Sequence, residues 1–302
     1  DPQDDDLRAK LQAIDAAARS EFELVNDLMS SPLDISLWLW ARSSVAARTF
    51  QIPPSGEHVD TYALVPMADF FNHEFGNTEV VVRAAGGGQE EGERVFELVT
   101  GRPFRAGEQV TISYGAMSNA ELLLGYGFVD QENPLDSVSI PLQVLKAAAK
   151  EVVPAAIVQD DGSNWKVAAE DLRVYKHGED EQLMLCLKRV CGLEPPPVPE
   201  PSIEVQCLPW QILAKACEIR LKQYPTSLED DEDELDRLQA LIDTDDGGAT
   251  GMALHTKSYA LVLYRALQKA LLVECAERVL YFADKSIELG KLLQANVMEV
   301  RG

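Results

Sequence analysis

Positive charge is scarce in this sequence. Twenty-seven Lys and Arg residues stand against 50 Asp and Glu, a formal net charge of -23, and no dense basic stripe offsets it. That excludes the usual route to nucleic-acid binding, in which a cationic face neutralises phosphate. Cysteines are few, odd in number and confined to the later half: Cys186, Cys191, Cys207, Cys217 and Cys275, with no CxxC spacing. They read as free thiols of an intracellular, reducing compartment, and they form no zinc site, so no metal is expected. Long apolar runs are missing too, because Arg265 and Lys269 interrupt "SYALVLYRALQKALLV". No membrane span or membrane partner is therefore expected. The opening "DPQDDDLRAK" is acidic, unlike a signal or transit peptide.

What is present is a globular composition over 302 residues, enough for two cores. Residues 3–50 look helical: Leu11, Ile14, Phe22, Leu24 and Leu28 recur at helical spacing, and "SPLDISLWLWARSSVAARTF" opens a second periodic run. From about residue 60 the pattern changes. "EVVVRA", "ERVFELVT" and "EQVTISYG" are short, rich in β-branched residues and separated by turn residues, as strands are. The Gly-rich link "AAGGGQEEGE" reads as a hairpin insert and lacks the Lys-Ser/Thr of a phosphate loop. "SNAELLLGYGF" predicts a short helix stopped by Gly125 and Gly127.

Beyond residue 142 nearly everything reads as helix, apart from an extended "PPPVPEP" connector at 195–201. "YPTSLEDDEDEL" predicts a capping box of Thr226 with Glu229 and a solvated acidic first turn. The last helix shows a stripe of Leu254, Leu261, Tyr264, Leu267 and Leu271, with Arg265 and Lys269 off it. The expected fold class is α+β, with a mixed first part and an all-helical second part meeting near residue 142. His58, His177 and His255 sit in no recognisable motif.

Three stretches carry the chemistry: "AARTF" (46–50), "ADFFNH" (68–73) and "ISYG" (112–115). Asp69, Asn72 and His73 fall in a run that otherwise reads as core, with Val65, Met67, Phe70 and Phe71 around them. Polar groups in such surroundings need partners, from the protein or from a ligand.

Together with "ALVPMADFFNH…EQVTISYGAMSNAELLLGYGFVDQENPLD", these stretches resemble the SET-domain methyltransferases. The resemblance lies with the subgroup of Rubisco large-subunit lysine methyltransferases and their actin-histidine relatives, and it is colinear over residues 36–142. It implies that residues 1–142 are part of a SET catalytic domain, with 1–60 a helical insert and 61–142 the core. Residues 143–302 would then be the all-helical substrate-binding domain. No Gly-x-Gly run precedes residue 36, so the first part of the family's catalytic domain is expected to be missing.

The resemblance also implies roles. Asn72 and His73 would hold S-adenosylmethionine, and Tyr114 would be the catalytic tyrosine. Arg48 and Asp69 would line the substrate side, while Phe50 and Tyr126 would wall the channel for the target side chain. The partner would be a protein bearing a target lysine, docked in part by the helical domain. Phe50 favours lysine because an apolar ring suits its alkyl stem, whereas the histidine-methylating relatives carry a polar residue there. Two alternatives remain at this level: a non-catalytic SET-derived binding module or inactive fragment, and a histidine methyltransferase.

Overall fold

The computed structural model describes residues 5–52, 61–76, 78–84, 94–154, 165, 172–197, 199–244 and 248–301. The expected hairpin insert at 85–93 and His58 lie outside them. The chain divides into two compact units, residues 9–128 and residues 129–302 with 1–8.

The helices expected up to residue 50 are α1 (Asp5–Leu28) and α2 (Ile35–Ala46). Asp34 starts α2 by accepting from the backbone N–H groups of Ser36 and Leu37 at 2.7 and 3.3 Å, a cap worth about 1 kcal/mol. The indole of Trp38 donates to the Ala18 carbonyl at 3.2 Å and its ring meets Phe22, which joins the two helices. Helix ends sooner than expected. Residues 49–52 are already strand β1 (Thr49–Ile52), paired antiparallel with β2 (Thr61–Leu64), and Phe50 sits opposite Ala63.

A 3-10 turn (Ala68–Phe70) follows, entered through Met67 at φ 72°. It leads to β3 (Asn72–His73). Next come β4 (Thr78–Ala84) and β5 (Arg94–Thr100), an antiparallel pair, and then β6 (Thr111–Ile112). β3 and β6 pair in parallel, Asn72 with Thr111 and His73 with Ile112. Parallel neighbours need a long crossover between them, and the β4–β5 ribbon supplies it. Thus the second and third sequence motifs lie side by side.

Helix α3 (Asn119–Tyr126) closes this unit. Its start is a capping box, Ser118 with Glu121, a signal plainly present in "SNAE" but not read from the sequence. Gly125 does not stop the helix. Gly127 does, at φ 80°, the left-handed turn glycine adopts without penalty.

The second unit starts with β7 (Ser137–Ser139) and α4 (Leu142–Val152). It continues with β8 (Arg173–Tyr175), β9 (Gly178–Glu179), α5 (Glu181–Val190), α6 (Ile203–Gln206), α7 (Leu208–Leu221), α8 (Leu228–Thr244) and α9 (Gly248–Arg301). The second part is therefore not all helix: β7, β8 and β9 form a three-stranded antiparallel sheet. Pairing of Ser137–Ser139 with Arg173–Tyr175 draws the segment after Phe128 into this unit, ahead of the boundary expected at 142. The extended "NPLDSVSIPL" contains β7, whereas β8 and β9, at three and two residues, are too short to show a period-2 pattern. The core joins Val138, Leu145, Leu187, Ile212, Leu213, Leu272 and Val279.

Two expectations about polarity fail here for one reason. Asp231, assigned to a solvated turn, and Lys269, assigned to the outer side of α9, are 0% and 2% exposed. They face each other, Lys269 Nζ to Asp231 Oδ2 at 2.6 Å, and Arg265 also donates to the Asp231 carboxylate. Lys269 donates further to the Thr226 carbonyl and hydroxyl and the Ser227 carbonyl. Conversely Leu254, expected inside, is 62% exposed. The capping box of α8 is also one residue later than expected: Ser227 with Asp230 rather than Thr226 with Glu229, since the Thr226 hydroxyl donates to Asp231.

Candidate functional site

The run around Asn72 is not core. Met67 and Phe70 are 74% and 75% exposed, because the 3-10 turn carries them outward. Asn72 is exposed as well, and Asp69, His73 and Phe71 are half-buried. What they surround is open space.

All seven residues singled out in the sequence converge on two adjoining cavities of the first unit. One, of about 380 Å³, is lined by Arg48, Phe50, Asp69, Tyr114 and Tyr126 together with Gln51 and Ser113. The other, of about 600 Å³, is lined by Asn72, His73, Phe70 and Phe128. Ala47, Arg48, Asp69, Tyr114 and Tyr126 belong to both, so they form the shared wall. Both volumes fall within the range of about 300–1,000 Å³ typical of small-molecule sites.

Tyr114 stands at the centre. Its hydroxyl donates to the Phe71 carbonyl at 2.8 Å, and its backbone N–H donates to Nδ1 of His73 at 3.0 Å. Its ring centre lies 4.7 Å from Tyr126, 5.1 Å from His73 and 6.3 Å from Phe128. Burial, then the neighbouring Tyr126, push its phenol above the ordinary tyrosine pKa, against a smaller opposing pull from Arg48. Burial raises Tyr126 also. Both hydroxyls are therefore neutral at physiological pH: they can donate and accept hydrogen bonds but do not act as phenolate bases.

Arg48 reaches the Asp69 carboxylate at 3.2 Å and its carbonyl at 3.3 Å. With Arg48 half exposed, the pair adds about 1 kcal/mol or less to stability. Its larger consequence is local charge balance, since the cation on the shared wall is neutralised in place. A positively charged guest would meet aromatic faces and a compensated arginine, surroundings that attract rather than repel a cation.

Phe128 and Phe75, neither singled out from the sequence, complete the aromatic lining around His73, with ring centres 6.0 and 4.4 Å from it. The "GYGF" spacing held the signal for Phe128: the left-handed Gly127 turns the chain so that aromatics on both sides of it, Tyr126 and Phe128, reach one cavity. Among the described residues no group of His, Cys, Asp and Glu could hold a metal ion. His177 is exposed and His255 half-buried, both outside the two cavities.

Residues 198–272 match the family described as Rubisco LSMT substrate-binding. Over 230 residues the chain is 26% identical to "Protein SET DOMAIN GROUP 40" of Arabidopsis thaliana, covering 68% of this chain and 45% of that protein. Over 212 residues it is 32% identical to the actin-histidine N-methyltransferase of Canis lupus familiaris, covering 64% of this chain and 35% of that one. The chain thus spans less than half the length of these curated relatives. In solved structures it is similar to the SET domain of LSMT bound to lysine and AdoHcy, with TM-score 0.52, 18% identity and coverage of 94% of this chain and 64% of that one. Rubisco LSMT bound to sinefungin and monomethyllysine gives TM-score 0.51 at 17% identity, with 94% of this chain and 63% of that one covered. The chain shares the fold of these LSMT structures, and its residues 198–272 match the Rubisco LSMT substrate-binding family.

Proposed function

We propose that this protein is an S-adenosylmethionine-dependent protein methyltransferase whose acceptor is the ε-amine of a lysine. The observation that carries this reading is convergence: residues from three motifs, together with Tyr126, meet on two cavities with Tyr114 between them. A binding platform derived from such a fold would gain nothing from preserving that arrangement. When bound, S-adenosylmethionine supplies a methyl carbon on a positive sulfur, which a neutral amine displaces in line.

The chain's own residues have three tasks in this reaction. The aromatic wall of Tyr114, Tyr126 and Phe128 tolerates a sulfonium. A positive sulfur next to it disfavours the ammonium form of a lysine, whose ordinary pKa is about 10.4, so its proton leaves to solvent before attack. The Tyr114 hydroxyl, with its O–H donated in a hydrogen bond to the Phe71 carbonyl, keeps lone pairs that can accept from the incoming amine and aim it. Asn72 and His73 line the cavity of about 600 Å³ that we assign to the cofactor, and Phe50 lines the smaller one, which we assign to the target side chain.

Replacing Asn72 with Ala is expected to weaken S-adenosylmethionine binding about tenfold or more, the cost of one hydrogen-bonding partner. Titration calorimetry on both proteins reads this directly, and equal affinities would remove Asn72 from the cofactor site. Target choice is tested at Phe50. With a matched pair of peptides bearing Lys or His, the unaltered protein should methylate the lysine peptide, and Phe50→Asn should shift preference towards histidine. A lysine preference untouched by that change would mean Phe50 does not set the target.

The histidine reading has one observation in its favour, the 32% identity to an actin-histidine N-methyltransferase. Against it stands Phe50, an apolar ring with no hydrogen bond to offer an imidazole. Residues 198–272 are proposed to dock the protein substrate.

A further inference from the structure

We infer that the His73 side chain is a positioning residue for Tyr114, rather than a group that holds the cofactor through its ring. The inference rests on the reading of Tyr114 as the catalytic tyrosine, and it reassigns His73 within the same site.

Tyr114 is gripped at both ends by one short segment. Its hydroxyl is tied to the carbonyl of Phe71, and its backbone N–H to the imidazole two residues further on. That second bond replaces a missing one. β6 ends at Ile112, so Tyr114 lies beyond the parallel ladder and has no strand partner for its N–H. A half-buried backbone donor left unsatisfied would cost free energy, and His73 Nδ1 satisfies it at 3.0 Å.

For Nδ1 to accept, the neutral ring must carry its proton on Nε2. The ring is itself fixed. Phe75 meets it edge-on at 4.4 Å, and Tyr114 and Phe128 flank it at 5.1 and 6.0 Å. Beneath it, His73 is registered opposite Ile112, and the Glu74 N–H donates to the Ile112 carbonyl at 3.0 Å. The Thr111 hydroxyl also donates to the Glu74 carboxylate, which closes the brace on the far side. Strand register is thereby passed through one imidazole to the backbone of the tyrosine that lines both cavities.

The inference separates two atoms that substitution can separate. Asn places a carbonyl oxygen close to where Nδ1 sits, whereas Gln places one close to Nε2. Phe keeps the ring contacts and removes the acceptor. The expected result is that the Tyr114 amide is protected from hydrogen exchange in the unaltered protein and in His73→Asn, and exchanges at least tenfold faster in His73→Gln and His73→Phe. Methyl transfer to a lysine-bearing peptide should follow the same order. His73→Phe should lower turnover about 100-fold, as a misplacement of about 1 Å does, with S-adenosylmethionine affinity changed less than threefold. His73→Asn should recover most of that turnover.

Equal amide protection in all four proteins would overturn the brace. So would a loss of cofactor affinity in His73→Phe that matches its loss of turnover, because the ring would then be a cofactor ligand. If His73→Phe does not fold, the Asn and Gln variants alone decide. If the unaltered protein transfers no methyl group, the proposed function fails, while the amide measurement still tests the brace.

Discussion

Tyr114→Phe should lower methyl transfer about 100- to 1,000-fold, the usual loss when one oriented hydrogen-bonding group is taken from a reacting centre. Cofactor affinity should stay within about twofold, since the ring and its aromatic contacts remain. The reason lies in the geometry of the hydroxyl. Its O–H is donated to the Phe71 carbonyl, so it meets an amine as an acceptor, and burial keeps it neutral rather than letting it serve as a base. Single-turnover transfer of labelled methyl to a lysine-bearing peptide measures the first quantity and calorimetry the second. Unchanged turnover would assign the alignment to another residue, with Tyr126 next in line because it shares the same wall. A parallel loss of cofactor affinity would mean that the hydroxyl supports the cavity rather than the reaction.

Asp231→Asn should destabilise the second unit by about 3–5 kcal/mol, the cost of leaving buried cations without their counter-charge. Lys269 is 2% exposed and Arg265 reaches the same carboxylate, so one substitution strips two partners at once. Lys269→Met should cost less, because Arg265 still holds Asp231 and the methionine fills similar space. Urea unfolding of the single and double variants gives both numbers and their coupling. If Asp231→Asn lies within about 1 kcal/mol of the unaltered protein, water or rearrangement satisfies the cations, and the network adds little.

The same network sets an acid limit. Burial alone would raise the Asp231 carboxyl, but hydrogen bonds from Arg265, Lys269 and Thr226 outweigh it and hold the group below its ordinary value. A carboxyl depressed in the folded state contributes stability that is complete above its unfolded pKa, about 3.9, and lost as pH falls through the folded value. Unfolding midpoints should therefore decline below about pH 4 in the unaltered protein, with this step absent from Asp231→Asn.

The motifs were legible because their chemistry needs particular residue types in a fixed order. Asn72-His73, Tyr114 and Arg48 stand out as polar or aromatic residues among apolar neighbours, and the pattern around them is long. The β-branched composition of the β4 and β5 segments and the periodicity of the long helices of the second unit were legible for a similar reason: both are local properties. What misled was burial. Met67 and Phe70 look like core residues by type, yet a 3-10 turn entered at positive φ faces them outward. Lys269 looks like a surface residue by type, yet its partner lies 38 residues away in sequence.

The sequence by itself determined a helical start, a stranded middle, the mainly helical second half and seven of the residues around the cavities, since each depends on side-chain type and short spacing. Only the tertiary structure decided that β3 and β6 run side by side, that an imidazole satisfies the Tyr114 amide and that Asp231 is buried with two cations. Those outcomes depend on which distant segments meet. A hydrogen bond or ion pair between them is a property of two places in the chain, and no local pattern carries it.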